Sequence, residues 1–130
     1  MRPTILTVDD AKAVRTLVEN ALAAFDCELT TATNGFEAFF AIERLRPDLI
    51  LLDISMPIMG GVETLQRLKA APELAAIPVL MLTSRADHTV VPLLPKMGAI
   101  GHVLKPFTEA AVLAAVQNIL KLQPAGNRRG

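Results

Sequence analysis

A single α/β domain, with a five-stranded parallel sheet covered by helices on both faces, is the fold class this sequence predicts. Three observations carry it. Five short runs rich in apolar and β-branched residues alternate with segments of helical periodicity. The central run, Leu49-Ile50-Leu51-Leu52, is unbroken by any polar residue, as in a strand buried on both faces. Several runs also end in a polar side chain, and strand ends are where an open α/β sheet binds its ligands. A chain of 130 residues, 52% of them hydrophobic, suits one domain with its own core and excludes wholesale disorder.

Residues 4–8 form the first β-rich run, which passes directly into Asp9-Asp10. Residues 11–25 follow, with Val14, Leu17, Val18, Ala21, Leu22 and Phe25 on one helical face. Residues 28–32 read as the second strand, and Asn34-Gly35 marks the turn after it. Residues 36–45 read as a helix with Ala38, Phe39, Ile42 and Leu45 along one stripe. The central strand then ends in Asp53. Gly60-Gly61 opens a third helix over 62–70, which Pro72 stops. Residues 78–83 are a strand ending in the hydroxyl of Thr83, and residues 101–104 a strand ending in Lys105-Pro106. The last helix runs from Thr108, its N-cap, to about Leu122, with Val112, Val116, Ile119 and Leu120 facing inward. The domain is therefore placed at 1–122, and the polar, Gly- and Pro-containing residues 123–130 are expected to be a flexible tail.

Right-handed crossovers with one reversal of direction give the strand order 2-1-3-4-5. The ligand crevice then falls between strands 1 and 3, where Asp9, Asp10 and Asp53 all end up. One segment resists the pattern. Residues 85–98 stand where a helix should connect strands 4 and 5, yet they contain Pro92 and Pro95. An interior proline removes a hydrogen bond and costs about 3 kcal/mol, and Val90-Val91 ahead of Pro92 favours extended backbone. A short, irregular or mobile fourth helix is expected, with Val90, Val91, Leu93, Leu94 and Met97 exposed unless a partner covers them.

Net charge is zero and the one basic run is Arg128-Arg129, which excludes a nucleic-acid footprint. No apolar run approaches the ~20 residues that span a bilayer. The single cysteine, Cys27, cannot form an internal disulfide and reads as a small core residue. A cytoplasmic protein, monomeric or weakly dimeric, is the expectation.

Three carboxylates at adjacent strand ends repel one another unless a cation sits among them. A hard divalent ion with oxygen ligands answers that need, and Mg2+ fits best. No His/Cys cluster argues for zinc or a redox metal. Thr83 and Lys105 add a hydroxyl and an ammonium, the groups that phosphoryl oxygens require beside a metal. A carboxylate can itself attack phosphorus and give an acyl phosphate. There is no Gly-rich phosphate loop of Walker type.

On these residues the sequence resembles the receiver domain of two-component response regulators, in layout the small single-domain regulators of chemotaxis type. The marks are Val8-Asp9-Asp10, Asn34-Gly35, Asp53-Ile54-Ser55-Met56-Pro57-Ile58-Met59-Gly60-Gly61, Pro78-Val79-Leu80-Met81-Leu82-Thr83-Ser84 and Lys105-Pro106-Phe107. That family shares the flavodoxin-like order 2-1-3-4-5, so the order rests in part on the resemblance. The resemblance implies Asp53 as phosphoacceptor and Asp9, Asp10 and Asp53 around Mg2+, with the backbone carbonyl of Ser55 as a further ligand. It implies Thr83 as a switch hydroxyl, Lys105 as the partner of the phosphoryl oxygens, and His102 at a switch position where the family usually carries Tyr or Phe. An imidazole there would make the switch sensitive to pH. The phosphodonor would be a histidine kinase or phosphotransfer protein, or a small donor such as acetyl phosphate. The downstream protein would meet the face formed by 85–98, His102 and the last helix. Such a protein is no enzyme in the ordinary sense, although it assists its own phosphorylation and dephosphorylation. Ser55 and Arg85, at variable positions flanking the pocket, would tune the lifetime of the acyl phosphate, and Gly60 replaces the family's usual Asp or Asn. The alternatives are a phosphorelay intermediate or phosphate sink, a receiver excised from a DNA-binding regulator, and a flavodoxin-type cofactor binder. The absence of Trp and Tyr argues against the last.

Overall fold

The structure, a computed structural model, describes residues 2–126. The chain runs β1 (Thr4–Val8), α1 (Lys12–Leu22), β2 (Glu28–Ala32), α2 (Gly35–Arg44), β3 (Leu49–Asp53), α3 (Gly61–Ala70), β4 (Val79–Thr83), β5 (Gly101–Leu104) and α4 (Glu109–Gln117). Between β4 and β5 stand only two single 3-10 turns, Arg85–Asp87 and Val91–Leu93. The strands are all parallel, in the order β2-β1-β3-β4-β5.

Alternating side chains of the central strands feed two cores. Leu6, Val8, Ile50, Leu52, Val79 and Met81 pack against α2 and α3 through Ala38, Ile42, Leu65 and Leu68. On the other face, Ile5, Leu49, Leu51, Leu80 and Leu82 pack against Val18 and Leu22 of α1 and Val112 and Val116 of α4. Every residue of β3 is buried. Each of its four aliphatic side chains contributes roughly 1.5–3 kcal/mol by leaving water, so burial anchors the strand that ends in Asp53.

The missing helix between β4 and β5 has the predicted cause, and its proline is accommodated. Pro92 occupies the first turn of the second 3-10 turn, where its absent N–H is not missed. The apolar residues there are not left to a partner, contrary to expectation. Leu94 is 1% exposed, and Val90, Val91 and Met97 pack partly against the core, which leaves Leu93 as the outward one. Backbone bonds such as Leu93 N to Val90 O (2.9 Å) and Gly98 N to Pro95 O (3.1 Å) tie the segment down.

Two helices end earlier than periodicity suggests. Helix α1 stops at Leu22 rather than Phe25, and α4 at Gln117 rather than near Leu122. The reason is one tertiary contact. Phe25 and Pro124 form an antiparallel bridge, with Asp26 N donating to Gln123 O (2.7 Å) and Ala125 N to Ala24 O (2.8 Å). Extended pairing at both ends is incompatible with continuing either helix, and the residue before a proline is biased to extended backbone anyway. Thus the first residues of the segment expected to be a flexible tail are paired; 127–130, including Arg128-Arg129, lie outside the described residues. Thr108 does cap α4, accepting from Ala111 N at 3.1 Å. Cys27 is buried and free, and burial pushes its thiol upward.

Candidate functional site

Strand register assembles the site. Val8 pairs with Leu52, and Asp53 with Leu82, so Asp9 follows β1 at the level where Asp53 closes β3. One step further along, Thr83 pairs with Leu104, and Lys105 follows it. The backbone N–H of Lys105 donates to the Thr83 carbonyl at 2.7 Å, which locks the ends of β4 and β5 together.

Lys105 then reaches back across the sheet edge. Its Nζ lies 2.7 Å from Asp9 Oδ2 and 2.9 Å from Asp53 Oδ1. The Asp9 side chain is fully buried and that of Asp53 is 6% exposed. Asp9 is further oriented by accepting from Ala11 N through Oδ1 (2.9 Å). Asp10 is exposed at the rim. Ligand oxygens of Asp9, Asp10 and Asp53 all lie within 4.8 Å of one another.

The electrostatics follow from one cation shared by two of the three acids. Burial pushes the Asp53 carboxyl up to about 6, against the hydrogen bond from Lys105 and with the help of the Asp9 charge. For Lys105, burial would favour the neutral amine, but hydrogen bonds and charges from Asp9 and Asp53 outweigh it and hold the ammonium above its ordinary range. The cluster is short of positive charge. Three carboxylates with their oxygens this close offer the all-oxygen donor set that a small hard cation takes.

Thr83 is buried, and its hydroxyl donates to the Val103 carbonyl at a long 3.4 Å. His102 is exposed on β5, at the edge of an open groove of about 380 Å³ that Thr83 also lines. Ser55 is exposed in the loop after β3, a loop closed by Gly61 N donating to Ile54 O at 2.8 Å. The structure therefore brings Asp9, Asp10, Asp53 and Lys105 together, sets Thr83 against them through the backbone, and leaves Ser55 and His102 at the margins.

Lys105 bridges two of the acids. Two features escaped the sequence. Gly61 is required by close approach, because a Cβ there would overlap the Asp53 carbonyl. Ile58, which is 82% exposed with φ of 69°, holds a left-handed conformation unusual for a β-branched residue. The Gly60-Gly61 pair was the only local signal for this tight loop.

Residues 5–117 match the response regulator receiver domain family. The chain is 33% identical over 121 residues to the phosphate regulon transcriptional regulatory protein PhoB of Rhizobium meliloti, covering 93% of this chain and 53% of that protein. It is 32% identical over 123 residues to sporulation initiation phosphotransferase F of Bacillus subtilis, covering 95% and 98%. The chain thus spans about half the length of the first relative and nearly all of the second. Among solved structures, chemotaxis response regulator CheY4 of Vibrio cholerae superposes with a TM-score of 0.84 at 30% identity, covering 92% of this chain and 100% of that one. The Mn(2+)-bound form of response regulator Rcp1 gives a TM-score of 0.82 at 26% identity, covering 94% and 98%. Parallel strand order, the acid cluster and the shared lysine now agree with the family match: the chain belongs to the response regulator receiver domains of two-component signalling.

Proposed function

We propose that this chain is a phosphorylation-operated signalling module that accepts a phosphoryl group on Asp53 from a histidine kinase or a phosphotransfer protein. The observation that carries this reading is the ammonium of Lys105 shared by Asp9 and Asp53 at 2.7 and 2.9 Å, on strand ends that leave an acid cluster open to solvent at Asp10. A carboxylate oxygen of Asp53 attacks phosphorus, forming a P–O bond as the P–N bond to the donor imidazole breaks and its electron pair stays on nitrogen. Lys105 turns from the acids towards the new phosphoryl oxygens, a charge-assisted contact. Attack by water on the acyl phosphate later releases inorganic phosphate and restores Asp53.

Asp9, Asp10 and Asp53, with the Ser55 carbonyl, would hold the divalent cation, and Mg2+ is our assignment. When bound, it neutralises the carboxylates and withdraws charge from the phosphoryl oxygens. Support comes from the mutual spacing of the three acids and from the Mn(2+)-bound form of the related Rcp1. The Thr83 hydroxyl leaves its weak bond to Val103 for the phosphoryl group, His102 follows into the space beside it, and the face formed by 85–98, His102 and α4 meets a protein target.

Intact mass after incubation with acetyl phosphate and Mg2+ tests the reading, with a gain of one phosphate expected. Full labelling of Asp53→Asn, or of the wild type in EDTA, would overturn it.

A further inference from the structure

We propose that the open edge of the sheet at β2 is a self-association surface, where a second copy of this chain adds its own β2 in antiparallel sense and lays its α2 beside α2. This edge stands at the opposite end of the strand order from β5, so pairing there leaves the β5 face free.

Ladder geometry decides which groups of β2 are spare. Glu28 N donates to Pro3 O at 2.8 Å and Ala32 O accepts from Asp9 N at 3.1 Å, so residues 28, 30 and 32 turn their backbone groups towards β1. The alternate residues of a parallel ladder point the other way. The N–H and C=O of Leu29 and Thr31 therefore face outward, and among the described residues nothing bonds to them. Residues 29–32 contain no charge and no proline, and their register with β1 runs without a bulge. The edge thus lacks the usual devices that refuse a further strand.

A second copy fits this edge residue by residue. With Thr30 on a two-fold axis, Leu29 pairs with Thr31 of the second copy and Thr31 with its Leu29, which uses all four spare groups. Thr30 then faces its own counterpart. Its Oγ1 is buried without a hydrogen-bond partner, and threonine hydroxyls directly opposite across antiparallel strands bond each other. Glu28 meets Ala32 of the second copy, so no like charges are opposed.

The helix beside the edge is matched in the same sense. A recess of about 330 Å³ at the edge is lined by Thr30, by Glu19 of α1 and by Ala41 and Arg44 of α2. Glu37, Ala41 and Arg44 stand at i, i+4 and i+7 and form one stripe of α2. The two-fold axis runs this stripe antiparallel to its copy, so Ala41 meets Ala41 and each Glu37 meets an Arg44. Arg44 is exposed and has no ion-pair partner among the described residues, while Glu37 is engaged only through Oε1, by Thr33. A foreign strand would find the spare backbone groups but not this charge pattern, which is why the occupant is a second copy.

Hydrogen exchange of the full chain at low and high concentration tests the pairing, with sedimentation equilibrium giving the dissociation constant. The Leu29 and Thr31 amides should exchange freely in dilute protein and slow by at least about threefold at about 1 mM, whereas the Thr30 amide, already turned to β1, should change far less. Thr31→Pro, which deletes an outward donor and nothing that β1 uses, should weaken the dimer by roughly tenfold or more. Arg44→Glu, on an exposed helix face, should weaken it by roughly three- to tenfold, and it decides the matter should Thr31→Pro fail to fold. A chain that stays monomeric to about 1 mM, a dimer whose Leu29 and Thr31 amides exchange as in dilute protein, or a dimer that Arg44→Glu leaves as tight as wild type would overturn the proposal. All arms are run without phosphodonor, so a failure to label Asp53 bears on the phosphoacceptor reading alone.

Discussion

Asp9 and Asp53 meet on one ammonium, with Lys105 Nζ 2.7 Å from the first and 2.9 Å from the second. This lysine thus partly offsets the charge of both carboxylates at the strand ends.

Removing the ammonium leaves two buried carboxylates facing each other. Lys105→Ala should destabilise the metal-free protein at pH 8 by about 2 kcal/mol, below the range for a fully buried pair because the lysine is 23% exposed. Excess magnesium should recover much of the loss. Denaturant unfolding with and without Mg2+ measures both, and unchanged stability would show that the bridge contributes nothing.

Asp53 itself should limit stability above neutral pH. Its folded pKa of about 6 lies above the ordinary 3.8, so folding disfavours the carboxylate. The wild type should therefore lose stability as pH rises from about 4 to about 6 and carry the full penalty above that. Asp53→Asn should be more stable than wild type by about 2 kcal/mol at pH 8 and no more stable at pH 4, in EDTA. A gain independent of pH would assign the effect to packing.

The approach of α3 to the end of β3 leaves no room for a side chain at Gly61. Gly61→Ala should cost roughly 1–3 kcal/mol by overpacking, and should slow phosphorylation by shifting Asp53. Wild-type midpoint and labelling rate in this variant would refute the close approach.

In the irregular segment, Leu94 and Leu93 should behave oppositely despite being neighbours. Leu94 is 1% exposed and Leu93 is 50% exposed. Leu94→Ala should cost about 2–4 kcal/mol, whereas Leu93→Ala should stay within about 0.5 kcal/mol. Similar losses would mean that the segment does not dock as described.

The sequence by itself determined the alternation of strands and helices, the acids and the lysine at strand ends, and the loss of a helix at Pro92 and Pro95. All of these are local: periodicity, turn residues and proline geometry act between near neighbours. Tertiary structure alone decided that α1 and α4 stop early, because Phe25 and Pro124 pair across the sequence. It alone sent Leu94 into the core and left Leu93 in water, a choice that depends on where β4 and α3 stand. It also set Lys105 between Asp9 and Asp53 and gathered His88 and His102 into one groove. Side chains far apart in the chain meet only where strand register and loop path place them, and no local pattern encodes that distance.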